Sequence, residues 1–329
     1  MPLMLQYPIS LLLYLRGLFI RCDVVIGLKP LPNVGLLLLI KNLLGAVTVV
    51  DVDDVDFGFR SGVIGKVNRL LQLPTPKRCD LVTYHTDRLR PFIRETFGVS
   101  EDKLYQLPQG IDAGLCRMAD EPVGRELRAS FRRDAKLVVY VAHLNIASDL
   151  DAIFDIIRIA RTRLPELHFL VIGGGPLERR FRRMAGEMGI GDITTFTGYV
   201  SPDTVANYLT IGDAGLVYYK DIEVNYFRES MKLRDMLALG LRVVCNDVGD
   251  LSRFRTFTYQ AGSDRQAVAQ ELVRVLETGG DGREAHGRAY VHAHLNWNDI
   301  GERLLERLVE VHRTSVAGRP SASAAGGLG

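Results

Sequence analysis

No two cysteines in this chain of 329 residues form a CxxC pair, and none stands beside a histidine at metal-ligand spacing. Cys22, Cys79, Cys116 and Cys245 are scattered singly, which fits reduced thiols and neither a disulfide frame nor a zinc site. Net charge is only +2 at pH 7, so no basic excess asks for nucleic acid. The histidines (His85, His143, His168, His286, His292, His294, His312) contain no HExxH, and His292 and His294 would face apart on a helix. A GxSxG elbow and a Walker A loop are also missing, which removes support for hydrolase and P-loop readings. Long apolar runs are absent too. The stretch ISLLLYLRGLFI, residues 9–20, is broken by Arg16 and too short to span a bilayer. It lacks a basic n-region and an A-x-A-like cleavage site, so it reads as a helix packed on a sheet, with membrane-surface contact the lesser reading.

What is present is alternation. With 47% hydrophobic and 24% charged residues, the chain suits a globular protein of two domains. Short Val/Ile/Leu runs at 22–28, 46–52, 80–86 and 103–109 predict strands buried on both faces, separated by helix-length segments. A second series follows at 137–143, 168–174, 193–199, 214–219 and 241–247. This pattern predicts two α/β domains with parallel sheets. Between the strands, Ile153, Ile156, Ile157, Ala160 and Leu164 form one helical stripe, and Val205, Tyr208 and Leu209 another. A last amphipathic helix turns Ile300, Leu304, Leu305 and Leu308 inward, and the Gly/Ala/Ser-rich end predicts a disordered tail. The first sheet is thin. If its first strand is an edge, DVVIG is a poor one, apolar and without a bulge, Pro or Lys to blunt it.

Three stretches carry candidate chemistry. In VIGGGPLERRF a strand runs into Gly173, Gly174 and Gly175, whose lack of Cβ admits either a close ligand or a tight βα turn. In TVVDVDDVDF, Asp51, Asp53, Asp54 and Asp56 follow a strand. Such a cluster could hold a divalent metal as a DxD, resemble the hhhhDxD of haloacid-dehalogenase-type phosphatases with Asp51 as nucleophile, or supply one general base or sugar-binding carboxylate. A solvated turn is the plain alternative. No later acidic pair after a strand supports the phosphatase reading. In ESMKLRDMLALGLRVVCNDVGD, Ser230 is placed to cap a helix whose first turns hold Lys232, Arg234 and Asp235. A helix N-terminus attracts anions, so this is either a ligand site or a solvated face. His143 ends a predicted strand, where ligands gather in α/β sheets, although a histidine satisfied by nearby backbone is the simpler reading.

Five stretches in order, at 77–117, 138–181, 193–219, 229–251 and 296–308, together resemble a GT-B glycosyltransferase of the large retaining family 4 (group 1). They are similar to the family's FGhxxxKhxhhPNGhD turn, its donor-domain opening, its hxFTGyV run, its S-P-x-K-h-x-E-Y-h-A-x-G segment and its closing Trp-containing helix. The resemblance implies a GT-B-like α/β fold, with two Rossmann-like parallel-sheet domains facing a cleft and the first truncated. The implied division is an incomplete acceptor domain at 1–118, a nucleotide-sugar donor domain at 119–295, a returning helix at 296–314 and a tail at 315–329. The family's acceptor domain begins with three strands that find no counterpart here, so a polypeptide supplying them is an implied partner.

The resemblance further implies a retaining transfer from a nucleotide-diphosphate sugar to a glycan, lipid-linked or small-molecule acceptor. No cofactor or obligatory metal is implied, and the setting is cytoplasmic, with peripheral contact at the inner membrane face. Carried over residue by residue, Asp235 meets the nucleotide ribose, while Ser230, Met231 and Lys232 meet the diphosphate. Gly173, Gly174 and Gly175 match the glycine turn, and Gly198 with Tyr199 the loop by the nucleobase. Asp53 aligns with the family's acceptor-domain histidine and Glu229 lies near the first carboxylate of its E-x7-E pattern. Asp53, Lys232 and Glu229 are therefore the expected catalytic residues, and no residue is expected to bind metal. One departure stands out: where many members read G-R-L-x-x-x-K-G, this chain has His143 and Ser148 in place of the two cations. A catalytically weak nucleotide-sugar-binding partner subunit and a GT-B-fold sugar-nucleotide epimerase are the alternatives.

Overall fold

The computed structural model describes residues 16–53, 74–112 and 114–317. The chain divides into two compact units: Met1–Pro108 with Ile300–Gly329, and Gln109–Asp299. Every segment predicted as a strand contains one, and one further strand appears.

The first unit holds β1 (Val24–Leu28), β2 (Val47–Val52), β3 (Leu81–Tyr84) and β4 (Leu104–Gln106). All pairings are parallel, in the order β1-β2-β3-β4. Each residue of β2 and β3 is buried, as expected for central strands covered on both faces. β1 is different. Among the described residues it pairs only with β2, and Ile26 and Leu28 on it are 46% and 72% exposed. The following helix, Pro32–Leu43, also leaves Leu36, Leu39 and Leu43 exposed. Ile300, Leu308 and Val311 of the last helix, Trp297–Ala317, are buried, the latter two against Val47, Val49 and Leu81. Leu305 does not turn inward as predicted; it is 61% exposed, because residues 300, 304, 308 and 311 already fill the inward stripe and residue 305 lies one helical step off it. That helix runs to Ala317, three residues into the predicted tail; residues 318–329 lie outside the described residues, as do residues 9–15 of the apolar N-terminal stretch.

The second unit holds β5 (Lys136–Val141), β6 (Leu167–Ile172), β7 (Thr194–Phe196), β8 (Ala214–Val217), β9 (Val243–Cys245) and β10 (Tyr259–Gln260), again all parallel. Their order is β10-β9-β8-β5-β6-β7. At two residues, β10 is too short to leave a periodic signal in the sequence. Side-chain alternation along β5 builds two cores. Val138 and Tyr140 join the core beneath helices Leu150–Arg161, Glu178–Glu187 and Arg265–Thr278, whereas Val139 faces helices Pro202–Thr210 and Met231–Ala238. The predicted stripe on helix 150–161 is buried throughout. On helix 202–210 the fully buried apolar residues are Ala206 and Leu209, with Val205 and Tyr208 only half-buried beside them.

Candidate functional site

The chain leaves β5 toward β6 on one side of the second sheet, while β8 lies on its other side. Neighbouring strands whose connections depart in opposite directions open a crevice beyond their carboxyl ends, where α/β sheets bind ligands. Two loops meet that condition here, 142–149 after β5 and 218–230 after β8. The residues they present were mostly not singled out by sequence.

At the centre is Lys232, in the second position of helix Met231–Ala238. Its Nζ lies 3.4 Å from the Tyr140 hydroxyl oxygen and 4.5 Å from the centre of that ring. No carboxylate lies within ion-pairing distance of it among the described residues. Burial, reinforced by the positive charge of Arg228 and opposed by Asp149, lowers its pKa to about 7. The Tyr140 hydroxyl donates in turn to the Ser148 carbonyl, and burial pushes that phenol well above its usual range.

Asp149 organises the second loop. Its Oδ2 accepts from the Lys220 backbone N–H (3.2 Å) and Asn225 Nδ2 (3.1 Å), and it lies 3.8 Å from Arg228 Nη1 and 3.9 Å from Lys220 Nζ. Burial raises its pKa despite these partners. Asp149 adopts φ 53°, the left-handed region that favours glycine, and it falls on the final Gly of the G-R-L-x-x-x-K-G pattern. Lys220 Nζ also pairs with Asp151 at 2.7 Å. Arg228 stacks 4.4 Å over Tyr219 and donates through Nη1 to Asn225 Oδ1 at 3.0 Å. With Lys232 protonated, three cations face two carboxylates.

A separate, closed network underlies the helix start. Arg234, 1% exposed, donates to Glu229 Oε1, to Asp250 Oδ2 at 3.1 Å and to the Ser230 carbonyl at 2.8 Å. Glu229 Oε2 also accepts the Gln109 N–H at 3.1 Å. Ser230 caps the helix by accepting the Leu233 N–H, and its own N–H donates to Asp250 Oδ1. This leaves the first helical N–H groups, of Met231 and Lys232, beyond the reach of the intrahelical pattern. Asp235, half-buried one turn on from Lys232, has its pKa raised to about 6, chiefly by burial.

The glycine turn has an internal reason. A Cβ at Gly173 would lie 2.2 Å from the Ala142 carbonyl oxygen, one at Gly175 2.5 Å from that of Leu144, and one at Gly174 2.9 Å from the Tyr199 ring. These glycines let loops 142–144, 173–175 and 198–199 lie against one another. There His143 and Tyr199 stack at 6.0 Å between ring centres, joined by a 2.7 Å hydrogen bond between the Tyr199 hydroxyl and Nδ1. Tyr199 is 71% exposed at this rim. Ser148 is turned away, its Oγ donating to the Asn145 carbonyl.

In the first unit, Asp53 lies 3.4 Å from Lys29 Nζ. Asp51, at the carboxyl end of β2, accepts from Thr83 Oγ1 and lies 3.1 Å from His85 Nε2. His85 Nδ1 lies 2.6 Å from the Leu107 carbonyl oxygen, so the ring bridges Asp51 and that carbonyl. Asp54 and Asp56 lie outside the described residues, and among the described residues no cluster of three or more His, Cys, Asp or Glu is arranged for a metal.

Solved structures with this architecture are GT-B glycosyltransferases. Sucrose-phosphate synthase from Thermosynechococcus elongatus superposes with a TM-score of 0.73 at 15% identity, over 89% of this chain and 74% of its own. HepE from Anabaena, in complex with UDP, gives 0.75 at 11% identity over 92% and 82%. The fold is therefore GT-B. By sequence, residues 125–252, which lie within the second unit, match the family glycosyl transferases group 1. A GDP-mannose-dependent alpha-(1-6)-phosphatidylinositol monomannoside mannosyltransferase of Mycobacterium tuberculosis is 24% identical over 239 residues, 70% of this chain and 61% of the relative. The chain thus spans about three fifths of that relative's length.

Proposed function

We propose that the chain is a retaining glycosyltransferase that uses a nucleoside-diphosphate sugar. The observation that carries this reading is Lys232: a largely buried amine without a paired carboxylate among the described residues, at a helix N-terminus, one turn before Asp235. Burying an uncompensated cation is costly, and a dianionic diphosphate offsets that cost. The anomeric carbon–oxygen bond to the β-phosphate breaks with its electron pair leaving on the phosphate oxygen. The acceptor hydroxyl bonds to the same face of the sugar, and its proton passes to the departing diphosphate. Fixed cations stabilise the charge that develops there, so no metal is required.

In this reading Asp235 holds the ribose hydroxyls, Met231 and Lys232 present N–H groups to the diphosphate, and His143 with Tyr199 borders the nucleobase. Glu229 acts through Arg234 as a positioning residue, and Asp53 serves the acceptor side. GDP-mannose is the first donor to test, since the mycobacterial relative is named for it, followed by UDP-sugars. A lipid acceptor at a cytoplasmic membrane face accords with Phe19, Ile20, Leu28, Leu43 and Leu44 standing exposed on the first unit. Among the described residues no helix is long and apolar enough to cross a membrane. Among the described residues β1 pairs on one side only, and a strand-donating polypeptide is part of the same reading.

The test is nucleoside-diphosphate release from a panel of sugar nucleotides, with and without acceptor extracts and EDTA. Acceptor-dependent, EDTA-insensitive release is expected. A changed sugar without acceptor would favour the epimerase, binding without release a partner subunit, and neither binding nor release would overturn the reading.

A further inference from the structure

The positions where the G-R-L-x-x-x-K-G pattern places two cations hold His143, committed to Tyr199, and Ser148, folded back onto Asn145. Resting on the reading above, we propose that Arg228, with Lys220 beside it, takes over the work of that pair as a diphosphate-binding cation supplied from the loop after β8. Three features of the geometry carry the assignment.

The first is position. Asp149 follows β5 and Arg228 follows β8, the two strands that flank the reversal of connection in the sheet, and their side chains meet at 3.8 Å. The replacement cation thus stands on the opposite wall of the same crevice as the loop that lost its own. The second is preorganisation. Arg228 is held flat by Tyr219 at 4.4 Å, and Tyr219 is fixed by buried Asn246, which accepts its N–H at 3.2 Å and donates to its carbonyl at 2.7 Å. A guanidinium held in one plane loses little freedom when it grips a phosphate. The third is unused capacity. Nη1 serves Asn225, whereas Nε and Nη2 find no acceptor among the described residues, and the side chain is 18% exposed. Those two N–H groups are the fork that binds phosphate oxygens in pairs. Asp149 pairs with Arg228 through Nη1 at 3.8 Å, without a hydrogen bond, and is shared with Lys220 and Asn225, so Nε and Nη2 are not spent on it.

The experiment is calorimetry on the whole chain with UDP, GDP, inorganic pyrophosphate, uridine and guanosine. Arg228→Ala should weaken the nucleoside diphosphate that wild type binds, and pyrophosphate, by tenfold or more, while leaving the nucleoside unchanged. Arg228→Lys should recover part of the loss, and Lys220→Ala should cost less than Arg228→Ala. Arg228→Gln keeps a polar amide while removing the charge and the guanidinium fork, so it answers the question if the alanine variant unfolds. Wild-type diphosphate affinity in both Arg228→Ala and Arg228→Gln overturns the inference and leaves the functional reading standing. Pyrophosphate binding that depends on Arg228, without binding of either nucleotide, keeps the inference and overturns the reading. Absence of all binding by wild type overturns both.

Discussion

The two units place buried charges at the same point of their sheets, the carboxyl ends of central strands, and treat them oppositely. In the first, Asp51 meets the His85 ring and one hydroxyl, and the other nitrogen of that ring faces a backbone carbonyl. The carboxylate has its partners within the fold. In the second, Lys220 and Arg228 pair with Asp149, Lys220 also with Asp151, and among the described residues Lys232 has no carboxylate within ion-pairing distance. A matched buried pair holds a loop in place, whereas an unmatched cluster stores a demand that only an anion from outside can meet. The Arg234 network lies a few residues from the second cluster and differs from both, since one guanidinium pairs directly with two carboxylates, Glu229 and Asp250.

Breaking the directly paired Arg234 network should cost the most. Arg234→Ala strands two buried carboxylates, and loss of about 3–5 kcal/mol of stability is expected in chemical denaturation. Retention of wild-type stability would show that water replaces the guanidinium. For the unmatched cluster the sign reverses between properties. Lys232→Ala should lower turnover by about two to three orders of magnitude while leaving the melting temperature unchanged or higher, because a buried uncompensated charge has gone. Wild-type diphosphate affinity in that variant would refute the role given to Lys232.

The pH dependence should separate the clusters next. Lys232, with a pKa of about 7, is cationic below that pH and neutral above it. Diphosphate affinity should therefore hold below pH 7 and fall as pH rises through it, by about tenfold per unit at the limit, with proton uptake on binding. The groups that face it are Tyr140, Arg228 and Asp149; burial holds the Tyr140 phenol neutral across this range and raises the Asp149 carboxyl. Titration calorimetry in buffers of different ionisation enthalpy reads the proton directly, and a flat profile would mean that Lys232 is not the contact. Smallest of all, His85→Gln should cost about 1–3 kcal/mol through the ring contact Asp51 loses, and nucleotide affinity should not move. A weakened nucleotide site in that variant would show that the matched pair does more than hold its loop.

The alternation of apolar runs was enough to read nine of the ten strands, the two-sheet organisation and the capped helix at Ser230. Apolar periodicity reports burial, and burial on both faces is what parallel strands require. The same signal failed where two faces compete: Leu305 is as apolar as Leu304, and only the packing of the helix on β2 and β3 decided which one turns outward. The glycines at 173–175 were legible as a turn, but their partners, the carbonyls of Ala142 and Leu144, lie some thirty residues earlier in the chain.

Lys232 and Asp235 could be singled out because they share one helix with its cap, a local pattern. Asp149, Lys220 and Arg228 could not, since they lie on two loops about seventy residues apart and each looks like a solvated charge by itself. Glu229 was legible as a carboxylate near the site, yet its bond to Arg234 follows from burial that no local pattern records. The sequence by itself determined what is set by neighbours along the chain: strand and helix periods, the cap, the glycine turn, and the missing cations at 143 and 148. Tertiary structure alone decided which charges are matched and which are left over. That balance depends on distance and desolvation, and both are fixed only when strands β5 and β8 are laid side by side.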